Sequence, residues 1–357
     1  MFNNLKLKSF KSFDCLDISL SNLTVLTGLN SSGKSSAIQA LRMWFLAKKN
    51  ISPYIEGYGD FGELKSKFTN LDTPISICVM DDNDDYEELI LTKKEIKNNR
   101  RLKRVMNFDY IAADRFGPSP FLPVMGYDKK YISIGDKGQF CADYFLKFEN
   151  VTINEVLRHS GTKSTKLSHQ LEQWMGEITP GVSLTFGKEE KHDLTHLEVD
   201  GYRATNTGFG ISYTLPIVLS ALVMSSKEAL DNFEDVDVNT WFNNNIENTP
   251  VLLIENPEAH LHPRGQTAMG ELIARTAASG VQVIVETHSD HFLDGIRIAV
   301  RKNKNIKCDM VKINYFSKSK NGVSSVEEIK VLENGKLDKW PEGFFDQMST
   351  NLRQLSM

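Results

Sequence analysis

The sequence predicts an α/β protein with a mixed sheet, because apolar runs of strand type alternate with segments of helical spacing. Residues 23–27 form a short apolar run, and the apolar residues after it share one helical face, namely Ile38, Leu41 and Phe45. Two further apolar runs, 251–254 and 281–285, each end in a glutamate and have the composition of buried strands. The chain has 357 residues, enough for a large core and roughly two domains, or one domain with a large insertion.

Strand candidates surround this first helix in the N-terminal third. Apolar and polar residues alternate over 5–10 and 16–20, and 73–80 is a further strand candidate. An acidic run at 81–88 precedes a basic segment made of Lys93, Lys94, Lys97, Arg100, Arg101, Lys103 and Arg104. These charges indicate either a contact for nucleic acid or an acidic partner, or a solvated β-hairpin whose two arms neutralise each other. We favour the hairpin.

The middle of the chain predicts a helical lobe followed by short strands. Residues 137–180 have a helical pattern, with a core-facing stripe formed by Leu167, Leu171, Trp174 and Met175. Residues 182–186 and 194–199 are short strand candidates. The polar and acidic segment 225–248 predicts a surface excursion.

Composition and charge narrow the class of protein. The formal net charge of −4 gives no global reason to expect nucleic-acid binding. Cys15, Cys78, Cys141 and Cys308 lie far apart without C-x-x-C spacing, which disfavours a disulfide framework or a zinc site and favours a reducing compartment. The sequence has no secretory signal and no apolar run of membrane-spanning length. We therefore expect a soluble cytoplasmic protein without a membrane partner.

The most specific motif is Gly28-Leu29-Asn30-Ser31-Ser32-Gly33-Lys34-Ser35, which matches the P-loop pattern G-x-x-x-x-G-K-[ST]. A strand that ends in such a turn and opens a helix directs backbone N–H groups and the helix N-terminus toward phosphate. Lys34 would reach the β- and γ-phosphates, and the Ser35 hydroxyl would bind Mg²⁺. The motif therefore predicts a nucleoside triphosphate together with Mg²⁺.

Three downstream segments predict the rest of a nucleotide site. The strand at 251–255 ends in Glu255, a candidate for the Mg²⁺ shell. The strand at 281–286 leads into Thr287-His288-Ser289-Asp290-His291. Upstream, Gly208 and Gly210 permit close backbone approach, and Ser212 is expected to start a helix whose N-terminus faces an anion.

The order of these motifs resembles the ATP-binding-cassette ATPases of the SMC-like and OLD-like branch. The motifs are the P-loop, Gly-x-Gly-x-Ser, Ile-Glu-Asn-Pro-Glu-Ala-His-Leu-His-Pro and Glu-Thr-His-Ser-Asp-His. Segments 286–298 and 340–347 resemble, more narrowly, small stand-alone bacterial ATPases with a short C-terminal domain of unassigned function. Residues 302–357 are too few for the Toprim nuclease domain of OLD-like relatives.

This resemblance implies a P-loop ABC/SMC-like ATPase head with an inserted helical lobe and a small C-terminal β/α appendage. The implied segments are the Walker A part of the head at 1–136, the helical lobe and short strands at 137–200, the signature, Walker B and switch-histidine part at 201–301, and the appendage at 302–357. In this class two heads close on ATP, which implies a homodimer or a higher oligomer. The further implied role is to sense or gate for an effector protein in anti-phage or anti-plasmid defence.

The same resemblance assigns residues to roles. ATP would bind Gly28, Asn30, Ser31, Ser32, Gly33, Lys34, Ser35 and Ser36 of its own head. Gly208, Gly210 and Ser212 resemble the signature segment that closes on the γ-phosphate of the opposite head, although Leu-Ser-Gly-Gly itself is absent. His288 resembles the switch histidine, and Ser35 with Glu255 would bind Mg²⁺. No glutamine can be assigned to the family's Q-loop, since Gln39 lies on the P-loop helix.

One departure concerns the general base, because Asn256 stands where many relatives have a second acid after Glu255. An amide cannot take a proton from water, so Glu258 becomes the candidate base. A structural role would instead have Glu258 organise the turn or cap a helix. Without a working base, hydrolysis would be slow and ATP would serve an assembly scaffold.

A DNA-binding function and a transition-metal site are also compatible with the sequence. A DNA-maintenance ATPase would bind DNA through the basic segment 93–104 in a salt-sensitive way. The histidine spacings permit a metal cluster, built from His260, His262, Glu286, His288, Asp290 and His291. The ATPase motifs explain these histidines without a transition metal, so we favour the ATPase.

Overall fold

The computed structural model describes residues 1–99, 102, 106–126, 132–206, 208–341, 343–345 and 347–356. The chain forms two compact units. The first unit combines both ends of the chain, Met1–Lys103 and Cys308–Met357, and the second unit is the middle of the chain, Arg104–Lys307. Within the described residues, no helix combines the length and the apolarity that a membrane span requires.

The N-terminal part of the first unit consists of two helices and six strands. The strands are β1 (Phe2–Phe10), β2 (Phe13–Ser19), β3 (Leu23–Gly28), β4 (Ile75–Asp81), β5 (Tyr86–Leu91) and β6 (Ile96–Asn99), and the helices are α1 (Lys34–Lys48) and α2 (Phe61–Leu64). Five strands form an antiparallel sheet in the order β2-β1-β4-β5-β6. Alternate residues of β4 are buried, as the alternating pattern predicts for a sheet with one face on the core.

The predicted hairpin is present as β5 and β6. The prediction that its charged residues are solvated is wrong for Glu87. This side chain is fully buried, and its carboxylate accepts hydrogen bonds from Lys48 Nζ at 2.7 Å and Asn98 Nδ2 at 3.1 Å. A buried carboxylate needs such partners, which the local charge pattern does not reveal. Part of the basic segment lies outside the described residues, namely Arg100, Arg101, Lys103 and Arg104.

The second unit contains a parallel layer and a helical lobe. Its strands are β7 (Phe108–Ile111), β8 (Leu122–Pro123), β9 (Val151–Thr152), β10 (Leu184–Glu189), β11 (Leu194–Val199), β12 (Tyr202–Arg203), β13 (Glu228–Ala229), β14 (Val251–Glu255) and β15 (Gln282–Glu286). Its helices are α3 (Cys141–Phe148), α4 (Leu167–Ile178), α5 (Phe209–Ser225), α6 (Val236–Glu247), α7 (Pro263–Ala278) and α8 (Asp290–Lys302). Strands β15, β14 and β7 pair in parallel in that order.

Two predictions for the second unit need correction. The helical segment 137–180 is two helices, α3 and α4, with the short strand β9 between them, although the α4 stripe is buried as predicted. The surface excursion at 225–248 contains helix α6, whose N-terminal amides bond to the Asp235 side chain. Asn245 on α6 is fully buried because its amide donates to the carbonyls of Met224 and Ser226.

The C-terminal part returns to the first unit with β16 (Val311–Lys318), β17 (Ser324–Lys330) and α9 (Gln347–Leu355). Strand β16 pairs in parallel with β3, the strand that leads into the P-loop, and β17 pairs antiparallel with β16. The segment predicted as an appendage therefore supplies a strand to the sheet that carries the P-loop. The division of the chain differs from the four predicted segments for this reason, while the α/β class with a mixed sheet is confirmed.

Candidate functional site

The P-loop lies where β3 ends and α1 begins, as the sequence predicted. Gly28 has a φ of +137°, and a Cβ placed on it would lie 2.1 Å from the backbone oxygen of Phe316 on β16. Strand pairing and the left-handed backbone both demand glycine here. At the other end of the loop, Gly33 has a φ of +110°, and a Cβ there would lie 2.7 Å from the buried Phe13 ring.

The loop presents its backbone outward. Leu29, Asn30, Ser31 and Ser35 are exposed, and Ser36 is half-buried. Helix α1 begins after Gly33 with no side-chain cap on its first amides and no acidic residue in its first turn. An uncapped and exposed helix N-terminus is suited to an anion, which fits the phosphate groups of ATP.

Lys34 is the central side chain of this loop. It is 3% exposed, and its Nζ donates to the carbonyl oxygens of Gly28 at 3.0 Å and Leu29 at 2.9 Å. Within the described part of the chain, the buried Ser32 hydroxyl has no hydrogen-bond partner. A buried hydroxyl is normally satisfied, so this atom fits a loop that receives an external acceptor.

The acidic residues lie at one edge of the parallel layer of the second unit. Glu255 ends β14 and pairs in register with Glu286, which ends β15. The Asn256 backbone N–H donates to the Glu286 carbonyl at 2.9 Å. Because carboxyl ends of parallel strands meet at one edge, this edge collects the candidate ligand Glu255 and the switch segment that follows β15.

Glu258 and His288, which the sequence paired as candidates, lie in contact. The Glu258 carboxylate accepts hydrogen bonds from Thr287 Oγ1 at 2.9 Å and from the His288 backbone N–H at 2.8 Å. Burial raises the pKa of Glu258, and these hydrogen bonds together with the Arg115 charge oppose that rise. The His288 side chain is 39% exposed, with Nε2 3.9 Å from Glu286 Oε1.

Asn256 occupies a strained turn between the two glutamates. Its φ is +45°, in the left-handed region that asparagine tolerates better than most residues. Its side-chain Oδ1 is buried without a hydrogen-bond partner among the described residues. The amide thus contributes to the shape of the turn between Glu255 and Glu258.

Sequence reasoning missed Arg115, which the structure places beside this turn. Arg115 is 4% exposed, and its Nη2 donates to the carbonyl oxygens of Glu255 and of Asn256, the latter at 3.0 Å. The Ala113 backbone N–H also faces Glu255 Oε2 at 3.4 Å. The sequence gives little signal for Arg115, because the strand before it, β7, has only four residues and contains Asp109.

The signature-like segment differs in detail from the prediction. Helix α5 begins at Phe209 with Gly208 as its N-cap, so Ser212 lies inside the first turn and does not start the helix. Gly208 and Gly210 do lie at this N-terminus, and no side chain caps it. Thr207, within the same motif, lies outside the described residues.

The structure also bears on the metal cluster that the histidine spacings permit. Among the residues that the structure describes, no group of three or more His, Cys, Asp or Glu side chains is arranged to hold a metal ion. His260 instead contacts aromatic rings on α5, with centroid distances of 5.6 Å to Phe209 and 4.5 Å to Tyr213.

Comparison with known proteins identifies similar sequences and folds. The family described as AAA domain matches residues 4–194, the AAA ATPase domain family matches 150–293, and a family described as a protein of unknown function (DUF3696) matches 306–355. Endonuclease GajA of Bacillus cereus (strain VD045) is 34% identical over 117 residues, which are 32% of this chain and 19% of GajA. The chain therefore covers only a small part of that relative's length.

Solved structures of SMC heads match most of the chain. The SMC head bound to the C-winged helix domain of ScpA has a TM-score of 0.51 at 17% identity, over 92% of this chain and 98% of that chain. The SMC head domain from Thermotoga maritima has a TM-score of 0.48 at 15% identity, over 91% and 98%. The former shows the fold predicted from the motifs. The AAA domain match covers more than half of the chain, which therefore belongs to the AAA domain family.

Proposed function

We propose that the protein binds ATP with Mg²⁺ through the P-loop of its first unit and hydrolyses it, with Glu258 as the general base. The observation that carries the ATP-binding part is Lys34, a nearly buried cation held against the carbonyls of Gly28 and Leu29 at an uncapped helix N-terminus. Such a loop binds phosphate through backbone amides and a fixed positive charge.

The residues divide the chemistry between them. Gly28, Asn30, Ser31, Ser32, Gly33, Lys34, Ser35 and Ser36 are proposed to bind the phosphates, and Ser35 with Glu255 to hold Mg²⁺. When bound, the metal ion would neutralise charge on the β- and γ-phosphate oxygens. Glu258 would take a proton from water as the water oxygen bonds to the γ-phosphorus and the bond to the bridging oxygen breaks, giving ADP and phosphate. Burial favours this role, because a base whose pKa is raised accepts a proton more readily.

The proposed biological output is ATP-driven dimerisation of two heads, which gates an effector protein in defence against phage or plasmids. Gly208, Gly210 and Ser212 are proposed to meet the nucleotide of the second head. The exposed N-terminus of α5, where Phe209 is 52% exposed, supports this assignment. The solved SMC head binds the C-winged helix domain of ScpA, and GajA is an endonuclease, which supports a protein partner with chemistry of its own.

The test combines ATP binding, mass-resolved chromatography and phosphate release. Lys34→Ala should lose ATP binding and all turnover. Glu258→Gln should keep ATP binding, lose about 10²-fold or more in turnover, and accumulate an ATP-bound dimer. Lys8→Ala, at an exposed lysine on β1 of the same unit, and Glu172→Gln, at a half-buried glutamate on α4 of the second unit, are the controls and should behave like wild type.

A different outcome would replace the hydrolytic switch with the assembly scaffold. If wild type binds ATP and assembles without releasing phosphate, and Glu258→Gln behaves the same, then Glu258 shapes the turn and Asn256 marks a head without a working base. If Lys34→Ala binds ATP normally, the nucleotide assignment itself is wrong.

A further inference from the structure

Arg115 is bonded in a way that a purely structural arginine is not. One guanidinium nitrogen, Nη2, donates to two backbone carbonyls, those of Glu255 and Asn256. The other two nitrogens, Nε and Nη1, are buried without a partner among the described residues. Buried donors are expensive to leave unpaired, and such groups concentrate at functional sites.

The bonds of Arg115 fix the turn that carries Glu258. Asn256 has the left-handed φ of +45°, so the chain direction between Glu255 and Glu258 depends on a conformation that non-glycine residues avoid. Arg115 bonds to the carbonyl on each side of that residue's N–Cα bond. The planar guanidinium can hold two acceptors in a fixed geometry, which an ammonium cannot do as well.

Arg115 also connects this turn to helix α5. Its guanidinium carbon lies 5.6 Å from the centre of the Tyr213 ring, and Tyr213 in turn contacts the His260 ring at 4.5 Å. A Cβ on Gly117, two residues after Arg115, would lie 3.0 Å from the Phe209 ring. The first turns of α5, which contain the signature-like segment, therefore lie against Arg115, Gly117 and His260.

Charge gives Arg115 a second influence on Glu258. The groups that face the guanidinium are Glu255 and Glu258 from the β14 turn, Tyr213 from α5 and Tyr110 from β7. Burial lowers the pKa of Arg115 to about 10, so it carries its full charge at neutral pH. Burial raises the pKa of the Glu258 carboxyl, whereas the backbone N–H groups of His288 and Glu258, the Thr287 hydroxyl and the Arg115 charge all lower it.

We propose that Arg115 is a positioning residue for Glu258: it holds the Glu255–Glu258 turn and passes a displacement of the first turn of α5 to that carboxyl. Closure on α5 by a second nucleotide-bound head would then alter the general base through Tyr213 and Arg115. This inference rests on the proposed role of Glu258 in hydrolysis.

The test is a double-mutant cycle in the full chain, measured as phosphate release between pH 5 and 9. Arg115→Met should lower turnover about 10-fold to 100-fold, as expected for a displaced and less ionised base. Its acid limb should move to higher pH, because the Glu258 carboxyl loses the neighbouring positive charge. Arg115→Lys keeps the positive charge but replaces the planar guanidinium with an ammonium. Its acid limb should therefore stay in place while its turnover falls. Arg115→Met/Glu258→Gln should be no slower than Glu258→Gln alone.

Arg275→Met is the matched control. Arg275 belongs to the same unit, bonds to Glu271 at 2.5 Å and lies 5.4 Å from the Trp174 ring, so it also combines a polar partner with an aromatic face. It should not move the acid limb. If Arg115→Met does not fold, Arg115→Lys/Glu258→Gln supplies the same cycle, and losses that multiply would overturn the proposal.

A titration of Glu258 in the absence of nucleotide tests the role of Arg115 separately from the role of Glu258 in hydrolysis. Protein labelled with ¹³C at glutamate carboxyls, with Glu258→Gln to assign the resonance, reports the Glu258 titration directly. The Glu258 resonance should titrate at higher pH in Arg115→Met than in wild type. An unchanged titration overturns the role of Arg115 alone, whereas wild-type turnover in Glu258→Gln overturns the general base.

Discussion

The P-loop of the first unit and the Glu258 turn of the second unit use positive charge in opposite ways. Lys34 is held by its own loop, because Nζ donates to the carbonyls of Gly28 and Leu29. Arg115 has comparable burial, yet two of its nitrogens have no partner within the described residues. The P-loop is thus stable as it stands, while the Glu258 turn contains donors that a change in its surroundings can satisfy.

The two regions also differ in how far apart their residues lie in the sequence. The residues proposed to bind phosphate in the P-loop are nine consecutive residues, 28–36. The Glu258 turn combines Arg115, Glu258 and Thr287, which only the tertiary fold brings together. The anion site is therefore built from neighbouring residues, while the second region depends on residues that only the tertiary fold brings together.

The largest expected effect tests backbone geometry at the P-loop. Gly28→Ala should destabilise the protein by about 3 kcal/mol and abolish ATP binding, because it combines left-handed strain with a clash against the Phe316 carbonyl on β16. Chemical denaturation and nucleotide titration measure the two effects.

Gly57→Ala is the control for that substitution. Gly57 has a φ of +80°, and a Cβ there would have no heavy atom within 4 Å, so the alanine carries strain without a clash. It should destabilise by about 1 kcal/mol and leave ATP binding intact. Equal losses in the two variants would show that strand contact does not shape the loop.

The next largest expected effect separates the role of the His288 imidazole from that of the His288 backbone N–H. His288→Ala removes the imidazole but keeps the backbone N–H that bonds to Glu258. Turnover should fall about 10-fold to 100-fold with little change in ATP binding, since the imidazole is assigned to the γ-phosphate. Phosphate release and equilibrium ATP binding are the measurements.

His291→Ala is a close control for this variant. The side chain of His291 is 42% exposed and that of His288 is 39% exposed, and each lies 3.9 Å from a carboxylate. If both variants lose turnover equally, the effect comes from the surface charge of the segment, and the switch role of His288 is wrong.

The contrast between sites built from neighbouring residues and sites built from distant residues explains what the sequence could predict. The P-loop, the strands β3, β14 and β15, and the α4 stripe each depend on neighbouring residues, and all were predicted. The burial of Glu87 and the helix around Asn245 depend on distant partners, Lys48 in one case and the carbonyls of Met224 and Ser226 in the other. A polar residue next in sequence to other polar residues looks exposed until those partners are known.

The position of β16 and the role of Arg115 were out of reach for a related reason. Strand β16 joins β3 across most of the chain length, and sequence periodicity carries no information about which strands pair. Arg115 follows the four-residue strand β7, which is too short to show a clear alternation of apolar and polar residues. Its partners are backbone carbonyls, which every residue has, so the sequence cannot identify them.

The smallest effect, and the sharpest probe of the Glu258 turn, is Thr287→Val. The hydroxyl of Thr287 donates to the Glu258 carboxylate at 2.9 Å, and a hydrogen bond to the charged form lowers the pKa of a carboxyl. Removing it should raise the pKa of Glu258 further. A general base acts only when ionised, so the acid limb of turnover should move to higher pH, with about 10-fold lower turnover below it and a smaller loss above it.

Thr276→Val removes the hydroxyl of another fully buried threonine of the same unit, whose partner is the Leu272 carbonyl on α7. It should lower the unfolding temperature by a similar amount without moving the acid limb. An unmoved limb in Thr287→Val would mean that the pH dependence belongs to another group, and the contrast between a self-sufficient P-loop and a tunable Glu258 turn would fail.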